Sequence, residues 1–345
     1  MADVARRRLL MSTLVLSPAE VRLLLPMATC IDLMTAVFEE LARGRGFNPL
    51  RWAVRLPDGS GLVGMMPGAL ESPAVLGLKA VAVFPGNHGT RYDSHQGVVL
   101  LFDVDHGMPL AILDGSEITA IRTAAASAAA TRALARQDAS RLAILGSGVQ
   151  ARTHLEAMLA VRPVRQVRIF SPNRERCAAF CNRASERYGL AVGASDSARN
   201  AVEDAEIICT TTSSREPVLH GGWLADGAHI NAVGSSVAAA RELDTAAVVR
   251  SRLFVDRRES TLNEAGDFLF PKSEGAIDDD HIVGEIGEVL VGSLPGRGSD
   301  DEITLFKSLG LAVEDLAAAH YVVEQARKQG VGTEVELGGM RDESA

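Results

Sequence analysis

Arg141-Leu142-Ala143-Ile144-Leu145-Gly146-Ser147-Gly148-Val149-Gln150-Ala151 is the stretch that decides the fold. A short apolar run meets a glycine-rich turn, and a helical stretch, Arg152 to Leu159, follows at once. Val164 to Phe170 reads as a second strand and Glu175 to Tyr188 as a second helix. In that strand–turn–helix–strand setting each small residue has a physical job. Gly146 makes the tight turn, Gly148 lets backbone amides approach a pyrophosphate, and Ala151 lets helix pack on strand. The helix N-terminus adds partial positive charge for the phosphates. Strand-like runs at Ile207 to Thr211, His229 to Val233 and Leu253 to Val255 continue the alternation. Residues 126–312 are therefore expected to form a doubly wound parallel sheet of the Rossmann kind.

The tip of the second strand selects between dinucleotides. A site for NAD normally places an acid there for the ribose hydroxyls, whereas this chain has Ser171-Pro172-Asn173-Arg174-Glu175-Arg176. With no acid at the tip, and Arg174 and Arg176 available for a 2′-phosphate, NADPH is the expected cofactor, with NADH as the alternative.

Working outward, Ser17-Pro18-Ala19-Glu20 opens a helix by N-cap, N1 proline and an early acid, and residues 18–43 read as one amphipathic helix. Short strand-like runs follow at Arg51 to Leu56, Gly61 to Met66, Leu76 to Phe84, Gly97 to Phe102 and Pro109 to Asp114, implying a mixed or antiparallel sheet. An Ala-rich helix, Glu117 to Arg136, leads into the Rossmann half, and a last helix, Val313 to Lys328, returns to the first half. Residues 1–125 with 313–345 are thus expected to be a second α/β domain. Met1 to Leu16, with Arg6, Arg7 and Arg8, reads as a tail rather than a signal peptide, and the chain from Gln329 to Ser344 as a second tail.

The chain has 345 residues, 47% of them apolar, and a formal charge of −9. An acidic chain without basic blocks is a poor fit to nucleic acid or an anionic membrane, and no apolar run is long and uncharged enough to span a bilayer. The four cysteines read as thiols of a reducing cytoplasm. Cys177 and Cys181, four apart, lack the companions of a metal site, and the histidines share no ligand spacing, so no metal is expected. His88, His106 and His154 read as loop or surface residues, and Asp256-Arg257-Arg258-Glu259 as solvated charge. Glu264 and Asp267 read as helix caps with no catalytic role assigned, and Trp52, Met65, Met66 and Leu78 as an apolar wall or as core.

Several ordered motifs carry a resemblance that covers nearly the whole chain. They are Gly77-Leu78-Lys79, the run Ser94 to Phe102, Ile118-Thr119-Ala120-Ile121-Arg122-Thr123-Ala124-Ala125 and Gly146 to Ala151, then Ile230-Asn231-Ala232-Val233-Gly234, Arg241-Glu242-Leu243-Asp244 and Phe306-Lys307-Ser308-Leu309-Gly310. With them the chain resembles the ornithine cyclodeaminase and mu-crystallin family. The resemblance implies a Rossmann domain plus an α/β domain that binds substrate and dimerises, a homodimer, and a small imino or amino acid handled with a nicotinamide cofactor. It implies that Arg51 and Arg122 bind the substrate carboxylate, that Lys79 is the active-site lysine and touches substrate, and that Ser236 lies at the substrate. Cofactor contacts are implied for Ser94, His95, Gln96, Arg122, Thr123, Gly146, Gly148, Val149, Gln150, Asn173, Arg174, Thr211, Val233, Ser235 and Ser308, with His95 a positioning group rather than a base.

The chain departs from the cyclodeaminase pattern twice. A carboxylate expected two residues before a Met-Pro pair is Gly64 here, and an aspartate expected after Asn-Ala-Val-Gly is replaced by Ser235-Ser236. Serine is a poor acid–base group at neutral pH. Mu-crystallin members, which resemble ketimine reductases, share both departures, so reduction of a C=N bond in a small cyclic imino acid ranks first. Two nearby arginines are expected to lower the pKa of Lys79, which either donates the proton to the imine nitrogen or arranges a water that does. An L-amino-acid or N-alkyl amino-acid dehydrogenase, a true ornithine cyclodeaminase, and a binding protein that keeps NADPH without chemistry are the alternatives.

Overall fold

The computed structural model describes residues 12–87 and 90–338. The arginines Arg6 to Arg8, His88 and the stretch from Arg341 to Ser344 lie outside them. Two compact units emerge, one of Met1–Leu33, Arg43–Arg122 and Leu311–Ala345, the other of Met34–Ala42 and Thr123–Gly310. Residues 34–42, assigned from sequence to the first domain, group with the second. There Phe38 meets Phe306 edge-on, with ring centroids 6.3 Å apart.

The first unit is built on an eight-stranded sheet. Its order is β16 (Thr333–Val335), β1 (Thr13–Leu16), β7 (Pro109–Asp114), β6 (His95–Phe102), β5 (Val75–Val83), β4 (Leu62–Leu70) and β2 (Gly46–Phe47), with β3 (Trp52–Arg55) also paired to β4. All pairs are antiparallel except β1 with β7. Side chains alternate between the faces. One face, carrying Met66, Leu70, Val75, Lys79, Val99, Leu101, Ala111 and Leu113, is buried. Gly68 and Gly77 let the helix Ala312–Gln329 lie close on it; a Cβ at Gly77 would stand 2.3 Å from the Leu100 carbonyl and 3.0 Å from Leu316. The opposite face leaves Phe47, Trp52, Val54, Val63, Leu76 and Val98 exposed.

Three sequence expectations change here. Residues 18–43 form two helices, Pro18–Leu24 and Met27–Ala42, because a residue before proline avoids the helical region, and Leu25 sits at φ −117°, ψ 79°. The first of them keeps the expected Ser17 cap and N1 proline, and the early acid Glu20 completes a capping box with Ser17. Both tails carry strands: Thr13–Leu16 pairs with β7 on one side and with Thr333–Val335 on the other. Trp52, Met65 and Leu78 share the open face, while Met66 points to the buried one beside Lys79, so no single wall contains all four.

The second unit holds another eight-stranded sheet. Its order is β10 (Val192–Ala194), β9 (Gln166–Phe170), β8 (Arg141–Leu145), β11 (Ile207–Thr210), β12 (His229–Ala232), β15 (Thr304–Lys307), β13 (Arg252–Val255) and β14 (Ile282–Glu285). Every pair is parallel. Chain order reverses at β8, with β9 on one side and β11 on the other, which is the switch point where such sheets bind ligands beyond the strands' carboxyl ends. Apolar side chains including Leu145, Ile208, Ile230, Leu253, Val255 and Leu305 bury one face of the sheet.

Candidate active site

In the first unit, sheet alternation turns Lys79 of β5 towards the helix-covered face. Its Nζ lies 2.6 Å from Oδ2 of Asp315 and 3.4 Å from the Thr119 hydroxyl. Thr119 and Arg122 are three apart on the helix Gly115–Leu134, a spacing that places them on one face. Arg122 is tied down twice: its Nε donates to Asp315 Oδ1 at 2.8 Å and its Nη1 to Glu314 Oε2 at 2.7 Å. Glu314 and Asp315 occupy the first turn of the helix Ala312–Gln329, where the helix dipole favours carboxylates. All four charged side chains are buried. Two cations against two anions leave the cluster formally neutral.

Burial is the main cause that lowers the pKa of Lys79, to about 8; Asp315 opposes it and Arg122 adds to it. The sequence argument made arginine proximity the cause, whereas desolvation of an amine inside a packed face does most of the work. Arg122 feels burial as well, but its two carboxylates outweigh it and hold the guanidinium more firmly protonated than usual. Arg51 is half-buried just before β3. Continuing the β3–β4 register one residue beyond the Trp52–Met65 pair aligns it with Met66, which is itself paired with Lys79.

The order Ser94-His95-Gln96 forms the entry to β6. The Ser94 hydroxyl meets His95 Nδ1 at 3.1 Å and Gln96 donates to the Asp93 carbonyl at 3.4 Å. Thr123 is buried.

In the second unit, Gly146 has φ +120°, and a Cβ there would stand 2.7 Å from Thr211 Oγ1. Thr211 in turn donates to the Leu145 carbonyl at 3.0 Å, so the turn after β8 and the loop after β11 are pressed together. Gly148 is the N-cap of the helix Val149–Val161, with no side-chain cap and nothing within 4 Å of a Cβ. That combination leaves helix N–H groups open for an anion. Val149 is exposed and Gln150 half-buried in the first turn. Asn173 caps the helix Arg174–Tyr188 by accepting from Arg176 N at 2.9 Å, and Arg174 stands exposed beside it. Val233, Ser235 and Ser308 are buried at the ends of β12 and β15, and Ser236 is half-buried. Ser235 donates to the Ala240 carbonyl at 2.5 Å. The buried Ser308 hydroxyl has no hydrogen-bond partner among the described residues. A buried hydroxyl left so is costly unless a ligand completes it. The open cradle at Gly148 and the orphaned Ser308 hydroxyl, both at carboxyl ends of parallel strands, fit a dinucleotide.

Several residues dismissed from sequence are buried and engaged. His154 is buried rather than on the surface, near the Ser127 hydroxyl and the Gln150 carbonyl, and burial lowers its pKa to about 4. Asp256 is buried rather than solvated, accepting from Leu309 N at 2.5 Å and Gly310 N at 2.8 Å. Asp267 pairs with Lys307 at 2.8 Å inside the unit. Glu314 and Asp315 were not singled out at all; two acids opening a helix carry no sign of a partner until the fold brings Lys79 and Arg122 to them. On the exposed turn after β6, ligand atoms of Asp103, Asp105 and His106 lie within 4.8 Å of one another, as solvated acids often do.

A Rossmann unit with an open phosphate turn, joined in sequence to a unit that buries a lysine against acids, defines a dinucleotide-dependent enzyme class. Within that class the chain belongs to the ornithine cyclodeaminase/mu-crystallin family, whose model matches residues 11–330. It is 37% identical over 325 residues to a Delta(1)-pyrroline-2-carboxylate reductase of Bacillus cereus, covering 94% of this chain and 100% of the relative. Among solved structures it resembles the Delta(1)-pyrroline-2-carboxylate reductase of Thermococcus litoralis in complex with NADH and L-proline. There the TM-score is 0.91 and the identity 40%, over 94% of this chain and 100% of that one. An archaeal alanine dehydrogenase dimer with bound NAD matches with a TM-score of 0.89 and 31% identity, over 95% of this chain and 100% of that one.

Proposed function

We infer that this protein reduces the C=N bond of a small cyclic imino acid, of the Δ1-pyrroline-2-carboxylate kind, with NAD(P)H as reductant. The observation that carries the reading is Lys79, a buried amine with a pKa of about 8 held by Asp315, which can give a proton near neutrality. Arg51 and Arg122 bind the substrate carboxylate through paired guanidinium hydrogen bonds. Lys79 protonates the imine nitrogen, and Asp315 keeps the ammonium in place. Gly146, Gly148, Val149 and Gln150 hold the pyrophosphate, Asn173 and Arg174 the adenosine ribose, and Thr211, Val233, Ser235 and Ser308 the nicotinamide side. When bound there, the dinucleotide supplies the hydride; the protein's part is orientation and electrostatics. The two family departures stand in support: at Gly64, and at Ser235-Ser236, the chain has no carboxylate to manage ammonia release and ring closure.

NADPH is the preferred form, with exposed Arg174 and Arg176 at the end of β9 and no acid among Ser171, Pro172 and Asn173. An L-amino-acid dehydrogenase is the second reading, favoured by the likeness to the alanine dehydrogenase. The chain works as a homodimer through the exposed apolar sheet face of the first unit, a patch of the type that marks an interface. Its cysteines are free thiols, in keeping with a reducing cytoplasm.

The test is nucleotide oxidation with each of NADPH and NADH against Δ1-pyrroline-2-carboxylate, Δ1-piperideine-2-carboxylate, and pyruvate with ammonia. Turnover of the cyclic imines without ammonia supports the reading. Activity confined to keto acid plus ammonia supports the dehydrogenase instead, and no oxidation with any pair overturns both.

A further inference from the structure

The second unit buries a chain of charge for which the chemistry above has no use. Glu242, in the loop before the helix Thr245–Val249, is fully buried. Its carboxylate accepts four hydrogen bonds. Oε1 takes both the backbone N–H and the hydroxyl of Thr212 at 2.7 Å. Oε2 takes the Thr210 hydroxyl at 2.8 Å and the Gly234 N–H at 2.7 Å. Asp267, in the first turn of the helix Gly266–Ser273, holds the backbone behind it: Oδ1 accepts from Glu242 N at 2.7 Å and Leu243 N at 2.9 Å. Its Oδ2 takes Lys307 Nζ at 2.8 Å, and Lys307 also donates to the Ser235 carbonyl at 2.5 Å.

These groups come from three adjacent strand ends. Thr210 and Thr212 end and follow β11, Gly234 and Ser235 follow β12, and Lys307 ends β15. The packing has no slack. A Cβ at Gly234 would stand 2.2 Å from the Thr212 carbonyl and 2.4 Å from Glu242 Oε1, and one at Gly266 would stand 1.9 Å from the Ala240 carbonyl. Burial and the neighbouring Asp267 push the Glu242 pKa up, while the Thr212 and Thr210 hydrogen bonds and Lys307 work to keep it ionised. A carboxylate filled with directional donors is a stiff anchor, since each bond left unmade in a buried place is costly.

A doubly wound sheet divides its dinucleotide. The strands on one side of the switch point serve the adenosine half, and those on the other side serve the second mononucleotide. β8, β9 and β10 form the first set here; β11, β12 and β15 form the second. The charge chain braces only the second set.

We propose that Glu242 is a positioning residue for the nicotinamide half of the dinucleotide, acting through the loops after β11 and β12 that it locks together with the Asp267–Lys307 pair. This rests on the cofactor use proposed above. Glu242 itself touches no cofactor; it fixes the loops that carry Thr211, Val233 and Ser235.

The test compares two probes on the full-length protein. NADPH carries both halves, and 2′-phospho-ADP-ribose lacks the nicotinamide. Glu242→Gln sets an amide NH2 against two of the donors, Glu242→Asp withdraws the charge by one methylene, and Thr212→Val removes a single hydroxyl. Affinities are read by titration calorimetry, with melting temperature recorded alongside. Expected is a loss of about tenfold or more in NADPH affinity for Glu242→Gln, about 1.4 kcal/mol per factor of ten. The 2′-phospho-ADP-ribose affinity should change by less than about twofold, because the Gly146–Gly148 turn is untouched. Glu242→Asp should regain part of the loss, and Thr212→Val should show the same selective pattern more weakly. If Glu242→Gln does not fold, Thr212→Val decides. Equal weakening of both probes, or no weakening of NADPH, overturns the proposal. A wild-type protein that binds neither probe overturns the cofactor reading itself, and the positioning role with it.

Discussion

Lys79 and Asp315 meet at 2.6 Å, an ammonium from the middle of β5 against a carboxylate from the first turn of the helix Ala312–Gln329. Asp315 also takes Arg122 Nε, so one carboxylate steadies both the proposed proton donor and the guanidinium proposed to bind substrate. The contact explains how a buried lysine keeps enough positive character to be useful. Desolvation favours the neutral amine, and the acid restores much of the lost charge, leaving a pKa of about 8.

A pH dependence follows from that pair. Protonating an imine needs the ammonium form, so kcat/KM for imine reduction should fall as pH rises through about 8. Asp315→Asn removes the opposing charge, and the alkaline limb should move to lower pH. Lys79→Met should abolish turnover while NADPH still binds. Full activity in Lys79→Met, or an unshifted profile in Asp315→Asn, would remove Lys79 from proton delivery. Stability has its own sign. A lysine whose pKa falls from 10.5 to about 8 on folding binds fewer protons in the folded state across that window. Its contribution to stability therefore improves as pH rises from the lower value to the higher.

The two arginines should separate in mutagenesis. Arg122 is part of a neutral buried cluster, so Arg122→Met leaves Glu314 and Asp315 an excess of buried negative charge over Lys79 and should cost about 3–5 kcal/mol of stability. Arg51 is half-buried just before β3. Arg51→Gln should cost less stability than Arg122→Met, because its side chain is not fully buried, and raise KM for the imino acid roughly tenfold or more, the scale of a lost charged hydrogen bond. Thermal melts with steady-state kinetics check both. An Arg51 variant with wild-type KM would take that residue out of substrate binding.

How much of this was legible beforehand differs between the two units. The Rossmann half was readable because its signals are local: a glycine turn between a strand and a helix has a short-range sterical cause, and Gly146 and Gly148 sit where that cause requires. Lys79 and Arg122 were recognisable from motifs. Asp315 and Glu314 were not, because what brings them to Lys79 and Arg122 is a long-range approach of a helix to a sheet face, permitted by Gly68 and Gly77, which leaves no spacing to read. Asp256, Asp267 and Glu242 were misjudged or passed over for the opposite reason. Acids in polar stretches usually face water, and nothing in their neighbours announces that backbone N–H groups will close around them. The β16 strand was missed because a three-residue edge strand in a polar tail has no periodicity to show.

Cofactor choice is testable at one position. Arg174 opens the helix after β9, exposed and next to the Asn173 cap. Arg174→Ala should weaken NADPH by about tenfold and leave NADH nearly unchanged, since only the former carries the phosphate a guanidinium can hold in a fork. Titration of each nucleotide against both proteins measures the ratio. Equal affinity of the wild type for the two nucleotides would instead leave Arg174 without a discriminating role.

The open sheet face carries the last prediction. Phe47, Trp52, Val54, Leu76 and Val98 project from β2, β3, β5 and β6 with their side chains in water, and the register puts Trp52 and Val98 in one row across Met65 and Ala80. A contiguous apolar surface on a sheet is unfavourable for a monomer. A second copy presenting the same face would satisfy it by two-fold symmetry, the commonest arrangement of soluble oligomers. Leu76→Glu places a charge on that face, in the row Leu76 shares with Phe47 across Ala69 and on the side away from Lys79 and its acids. Sedimentation velocity should show the wild type as a dimer and the variant shifted to monomer, with the isolated subunit still binding NADPH. A wild type that sediments as a monomer, or a Leu76→Glu variant that remains dimeric, would show that association uses another surface.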